Sequence, residues 1–167
     1  MTNNTRSMPN AVDVEREVLG AMLLNKDAIN RAAAIVQASD FHHNAHRETF
    51  SAIQEVHAKG HAVDALTVID RLRASGGLEL AGGERAIMRL QSSIATTANI
   101  EEHSRIVKDH SNRRALMKLG DDLKRDTVDL QVSTEHALNR TRLALAAIDS
   151  TNRVDVWVGA SDASQRL

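Results

Sequence analysis

The chain has 167 residues and a formal net charge of −1, which argues against a strong uniform attraction to nucleic acid. It contains no cysteine, so disulfides, zinc–thiolate sites and thiol nucleophiles are excluded. Its only aromatic residues are Phe41, Phe50 and Trp157, so a core must be built mainly from aliphatic side chains. No apolar run approaches the roughly 20 residues of a membrane-spanning helix. These features favour a soluble helical protein in the cytoplasm.

Helical periodicity and helix-end signals dominate the first hundred residues. In the first predicted helix, Leu19 and Met22 face inward, whereas Glu15 and Arg16 face mostly outward. The fourth predicted helix carries Leu66 among its apolar residues and ends at Gly76-Gly77. The five short helices begin after Pro9-Asn10, at Lys26-Asp27, at about Ala45, after the capping residue Asp64, and after Gly82-Gly83.

Two long helices folded back on each other are predicted between Asn99 and Ile148. The segment from Thr127 to Ser133 lacks the helical period, and Ser133 or Thr134 can cap the second helix. The fold class is therefore all-α, a compact bundle of about five short helices followed by a long antiparallel helical hairpin. A hairpin cannot bury both of its apolar stripes alone, so it needs the rest of the chain or another copy. The candidate oligomer interface consists of Leu116, Leu119, Leu123, Leu138, Leu145 and Ile148.

The chain divides into four predicted parts. Residues 1–9 form a disordered tail, 10–98 the bundle, 99–149 the hairpin, and 150–167 a linker with the start of a truncated helix. The segment after Asp149-Ser150 is loop-like through Gly159, and a helix start follows at Ser161. We therefore expect the chain to be part of a longer protein.

The densest group of possible metal ligands is His42, His43 and His46. His42 and His46 are four residues apart, but the helix is expected to start at Asn44-Ala45, after His42 and His43. No H-E-x-x-H arrangement is present, so a capping or packing role is favoured over a metal site. No phosphate-binding glycine loop or nucleophile elbow occurs either. The sequence thus assigns no catalytic, cofactor-binding or metal-binding residue.

The hairpin also carries basic pairs, Arg113-Arg114 and Lys124-Arg125. Between Asn99 and Ser150, however, nine Lys and Arg residues alternate with nine Asp and Glu residues. Interleaved charge of this kind is typical of an exposed helix pair with many ion pairs. No aromatic residue is present in this region to stack on bases. From these residues alone, the hairpin is an interaction element.

A series of short motifs then resembles the N-terminal domain of replicative DNA helicases of the DnaB type. No single motif is specific, but their order and spacing are. The sequence departs from the family at His42, Ala86 and His103, where tyrosine is frequent, and this puts contacts made by those rings in doubt. The motifs are Pro9-Asn10, Glu17 to Leu23, Asp40-Phe41 with His46 and Phe50, Lys59-Gly60, Val63-Asp64 with Thr67, Gly76 to Leu80, Gly82-Gly83 with Leu90, Thr97 to Ile100, Ile106-Val107 and Arg113-Arg114.

The resemblance implies a collar domain of a hexameric, ATP-driven 5′-to-3′ helicase. Its hairpin would pair with that of a neighbour to give a trimer of dimers, and the collar would contact primase and helicase loaders. ATP and Mg²⁺ would bind a motor domain that is absent from this chain, and DNA would pass through the parent ring. The alternatives are a stand-alone helical DNA-binding or regulatory protein using Arg113-Arg114 and Lys124-Arg125, and a metal-dependent enzyme using His42, His43 and His46.

Overall fold

The computed structural model describes residues 9–93 and 96–162, with side chains to residue 149. All regular secondary structure in these segments is helical, which confirms the predicted all-α class. Residues 1–8 of the tail predicted at 1–9, and the end of the predicted linker helix at residues 163–167, lie outside the described residues. The helices are α1 (Val12–Leu24), α2 (Lys26–Ala33), a 3₁₀ turn (Ala38–Asp40), α3 (Asn44–Ala58), α4 (Ala65–Ser75), α5 (Glu84–Ser92), α6 (Ile100–Val128) and α7 (Thr134–Asp162).

Local side-chain chemistry explains where the short helices begin and end. The Asn25 side chain accepts a hydrogen bond from the Asp27 N–H at 2.8 Å and so starts α2. Asp64 and Thr67 form a reciprocal capping box at the start of α4, which confirms the predicted cap. Gly76 ends α4 with a φ of 75°, a left-handed conformation that glycine adopts without steric cost.

The core of the bundle combines one aromatic pair with aliphatic side chains from all five short helices. The rings of Phe41 and Phe50 lie 5.0 Å apart and are fully buried. Leu66 is one of the apolar residues predicted for α4, but it does not belong to this core, because 65% of its surface is exposed. The largest of the fully buried aliphatic side chains are Leu19, Met22, Leu23, Ile29, Ile53, Leu72, Ile87 and Ile100.

The chain forms two compact units that divide between Ser111 and Asn112, within α6. The predicted boundary at residues 98–99 instead coincides with the start of that helix. The difference arises because Ile100 and Val107, on the first part of α6, are buried in the core of the bundle. A helix boundary is visible in the sequence, whereas the point at which a helix leaves a core depends on tertiary packing.

The second long helix extends further than the sequence predicts. A loop was expected after Asp149, but α7 continues to Asp162. The segment between Asp149 and Asp162 contains no proline. Its β-branched residues each make the helix less favourable than alanine would by only about 0.5 kcal/mol. No helix among the described residues has an apolar stretch long enough to cross a membrane.

Candidate interaction surface

A five-residue turn joins α6 to α7 and is fixed by local hydrogen bonds. The Asp129 side chain accepts from the Gln131 N–H at 2.9 Å, and the Val132 N–H donates to the Asp129 carbonyl at 3.0 Å. Ser133 then caps α7, because its hydroxyl accepts from the His136 N–H at 3.2 Å. This contact confirms one of the two predicted caps.

An ion pair connects the two helices close to the turn. Arg140 Nη1 lies 2.7 Å from Asp126 Oδ2, and the Asp126 carboxylate is buried. Ala137, one turn before Arg140, is also buried. Because α6 and α7 are in contact here, they form the hairpin that the loss of periodicity at residues 127–133 predicts.

The six predicted interface residues all keep exposed surface on the single chain. Leu116, Leu123, Leu138 and Leu145 are exposed, and Leu119 and Ile148 are half-buried. Among the described residues, eight of the twelve exposed large apolar side chains belong to the segment that follows Ser111. These eight are Leu116, Met117, Leu123, Val128, Leu130, Leu138, Leu143 and Leu145. The hairpin surface, defined here by these eight residues with Leu119 and Ile148, is therefore uncovered in one copy.

Leu143 is an exposed residue of α7 that does not belong to the six predicted interface residues. At 100° per residue, it lies about 200° around the helix from Leu145, on another face of α7. It is 72% exposed, more than Leu138 or Leu145. A prediction based on one apolar face of the helix misses such a residue. Considering every leucine of the helix would have included it. The helix thus presents apolar surface on more than one side.

Two basic residues of the hairpin, Arg125 and Arg140, take part in intrachain ion pairs. Arg125 Nη2 lies 2.5 Å from Asp122 Oδ1 on the same helix, and Arg140 contacts Asp126 as described. Side chains already neutralised by carboxylates have less charge to offer phosphates. For Arg125, one of the four residues on which the DNA-binding alternative relies, this geometry favours a structural ion pair over a phosphate contact.

A buried carboxylate organises the histidine cluster. Glu15 was predicted to face outward, but only 1% of it is exposed, so that prediction is wrong. Its Oε1 accepts from the His42 N–H at 2.5 Å, and its Oε2 accepts from His46 Nδ1 at 2.6 Å. Its position on the first turn of α1 suggested a solvated charge, whereas its partners come from a segment about thirty residues away. No sequence-local signal reports such a pairing.

The same contacts determine how Glu15 titrates. Burial alone would raise its pKa, but the hydrogen bonds from the His46 side chain and the His42 N–H, with the electrostatic contribution of His46, hold the pKa below 4.5. The side chains of His42, His43 and His46 stack edge to face, with ring centres 5.4 and 5.5 Å apart. Among the described residues, no three His, Asp or Glu side chains are placed to hold a metal ion.

We expect this carboxylate to make stability depend on acid pH. A carboxyl whose pKa is lowered by folding stabilises the protein above its ordinary pKa of 4.5, and this contribution is lost as the pH falls through the lowered value. The wild-type protein should therefore lose more free energy of unfolding than Glu15→Gln between about pH 5.5 and pH 3. Urea denaturation at both pH values measures the difference. Equal losses in the two proteins would contradict the assignment.

Sequence reasoning also missed a buried ion pair that attaches α6 to the bundle. Lys108 Nζ lies 2.9 and 3.1 Å from the two oxygens of Asp40, and both side chains are buried. The Ser111 hydroxyl donates to Asp40 Oδ1 at 2.8 Å, and the Gln37 N–H donates to Oδ2 at 2.9 Å. Asp40 therefore closes the 3₁₀ turn and anchors α6 at the same time.

Comparison with known proteins explains the combination of bundle and hairpin. Residues 7–109 match the family model described as the DnaB-like helicase N terminal domain. The chain belongs to this family. It is 30% identical over 146 residues to the replicative DNA helicase DnaB of Treponema pallidum and 39% identical over 111 residues to that of Rhodothermus marinus. These alignments cover 87% and 66% of this DnaB-type chain but only 33% and 12% of the relatives.

Solved structures agree with this assignment. The N-terminal domain of DnaB helicase from Mycobacterium tuberculosis superposes with a TM-score of 0.77 at 28% identity, covering 84% of this chain and 99% of that domain. A DnaB-like replicative helicase studied with its interactions with primase shares the fold, with a TM-score of 0.64 at 20% identity. It is matched over 81% of this chain and 31% of its own length. The present chain thus corresponds in sequence and fold to the DnaB-like helicase N-terminal domain.

Proposed function

We propose that this domain forms the N-terminal collar of a hexameric replicative DNA helicase and that its hairpin pairs with the hairpin of a second copy. The observation that carries the proposal is the concentration of exposed leucines on the hairpin surface. In contrast, the bundle buries its large apolar side chains, with few exceptions. A concentration of exposed large apolar side chains is typical of protein–protein contact sites.

A second copy fits the hairpin surface better than an unrelated partner because the surface complements itself. Each hairpin offers leucines on both helices, and opposite charges alternate along them. Two such surfaces related by a twofold axis would cover each other's apolar side chains and place unlike charges in reach at the rim. Paired hairpins of this type would give dimers, and three dimers would complete a six-membered collar.

We further propose that the collar docks primase and the helicase loader. The support is family membership, together with the shared fold of the helicase that was studied with its interactions with primase. The motor activity, with its ATP and Mg²⁺, would reside in a part of the protein beyond this chain, since the chain spans a third or less of the relatives named above. A replicative role would place the parent protein in the cytoplasm, where DNA would be bound by the ring.

Cysteine cross-linking tests hairpin pairing directly, because the chain contains no native cysteine. Single cysteines replace Leu116, Leu123, Leu138 and Leu145 in turn, and a flexible bismaleimide is added. We expect covalent dimers from the positions nearest the twofold axis. Leu66→Cys, an exposed control on α4, should give none. Dimers from Leu66→Cys without any from the four hairpin positions would contradict the proposal.

A further inference from the structure

A groove lies between α1, α3 and α5, on the bundle and before the division at Ser111. Its volume is about 280 Å³. Small and aliphatic side chains form its floor, and longer polar side chains form its rim. The lining residues that matter are Arg16, His46, Ala81, Ala86, Arg89 and Leu90.

The rim of this groove is positively charged. Arg16 and Arg89 both line it, and no Asp or Glu does. Among the described residues, Arg16 pairs with one carboxylate, that of the exposed Asp13, at 3.7 Å. Arg89 is exposed and makes no ion pair with any described residue. The carboxylate closest to His46, that of Glu15, is buried and already accepts two hydrogen bonds. The groove therefore complements a negatively charged ligand.

A second depression continues this surface along α5. It measures about 450 Å³ and shares Arg89 with the first groove. Arg85 and Met88 also line it, and half of the Met88 surface is exposed. The one acidic side chain in its lining, Glu84, is held by Arg73 at 2.5 Å. Two adjoining depressions with cationic and apolar side chains have room for an extended segment, which a single bound anion would not fill.

We propose that this α5 surface, comprising the two depressions, binds an acidic peptide segment of a partner protein. An apolar side chain of the peptide packs on Ala81, Ala86 and Leu90, and its carboxylates pair with Arg16 and Arg89 as charge-assisted hydrogen bonds. A nucleic acid fits less well, because the lining contains no Phe, Tyr or Trp on which a base could stack. The inference is independent of hairpin pairing, since none of its residues belongs to the hairpin.

The test is a fluorescence anisotropy titration of the whole chain with a fluorescein-labelled peptide, Glu-Asp-Leu-Phe-Asp-Glu. We expect saturable binding that Arg89→Ala weakens on the order of tenfold, the loss of one charge-assisted hydrogen bond. Ala86→Phe should weaken it similarly by filling the floor of the groove. Lys59→Ala removes an exposed cation that lines a different groove, between α3 and α4, and should leave binding unchanged.

Control ligands test whether binding requires the carboxylates of the peptide and whether a nucleic acid binds more tightly. The amide version of the peptide, Gln-Asn-Leu-Phe-Asn-Gln, should bind at least about tenfold more weakly, because it lacks the carboxylates. Equal binding of both peptides, an equal loss in Lys59→Ala, or no saturable binding would overturn the proposal. So would tighter binding of a labelled thymidine oligonucleotide that Arg89→Ala weakens. Circular dichroism of each variant confirms that the helical fold is retained.

Discussion

Lys108→Ala is expected to lower the free energy of unfolding of the bundle by about 3–5 kcal/mol, the usual effect of removing one partner of a buried ion pair. The Asp40 carboxylate would stay buried and lose the Lys108 ammonium, while it still accepts from the Ser111 hydroxyl and the Gln37 N–H. The loss should be large because the same carboxylate closes the 3₁₀ turn and holds α6 on the bundle. Urea denaturation followed by circular dichroism measures it.

The matched control is Arg105→Ala, three residues earlier on α6. Arg105 is exposed and lies 3.6 Å from the Glu101 carboxylate, so its removal should change stability by less than about 1 kcal/mol. Adding Asp40→Asn to Lys108→Ala should recover part of the loss, because the buried group is then neutral. A change of under about 1 kcal/mol in Lys108→Ala would show that the ion pair does not anchor the helix.

Leu119→Asp and Leu145→Asp are each expected to abolish self-association without unfolding the chain. Burying one leucine contributes about 1.5–3 kcal/mol, and a symmetric dimer contains every contact twice. Each substitution should therefore weaken dimers by at least about 3 kcal/mol, more than a hundredfold in dissociation constant. The burial of a charge in the interface adds to the loss. Sedimentation velocity over a range of concentrations measures the shift.

Leu66→Asp is the control for this pair of variants. Leu66 is also an exposed leucine on a helix, but it lies on α4 in the bundle. Its substitution should leave both stability and association unchanged. Loss of association in Leu66→Asp, with none in Leu119→Asp or Leu145→Asp, would move the interface from the hairpin to the bundle.

Features with local causes could be read from the sequence. Asp64 and Thr67 cap α4 through residues three apart, and Gly76 ends the same helix by its own backbone conformation. The turn at residues 129–133 appears in the sequence as a loss of the helical period. Apart from Leu143, the exposed leucines of α6 and α7 follow from the same periodicity, since two helices cannot bury both stripes in one chain. Most of the fold is therefore predictable from short-range rules.

Features that depend on distant partners could not be predicted. Asp40 and Lys108 are 68 residues apart, and Glu15 is buried only because the segment after Phe41 supplies its hydrogen-bond donors. Nothing within a few residues of Glu15 distinguishes it from an exposed first-turn carboxylate. The charged rim of the α5 surface is equally non-local, since Arg16 and Arg89 come from helices at opposite ends of the bundle sequence.

The central claim is that the hairpin pairs with a second copy of itself, and the molar mass of the wild-type chain in solution tests it most directly. Light scattering coupled to size exclusion should give a mass that rises with concentration from that of one 18.3 kDa chain to twice that value or more. The same measurement on Leu145→Asp should give the monomer mass throughout. A wild-type chain that stays strictly monomeric at high concentration, with the same mass as Leu145→Asp, would contradict the proposed pairing.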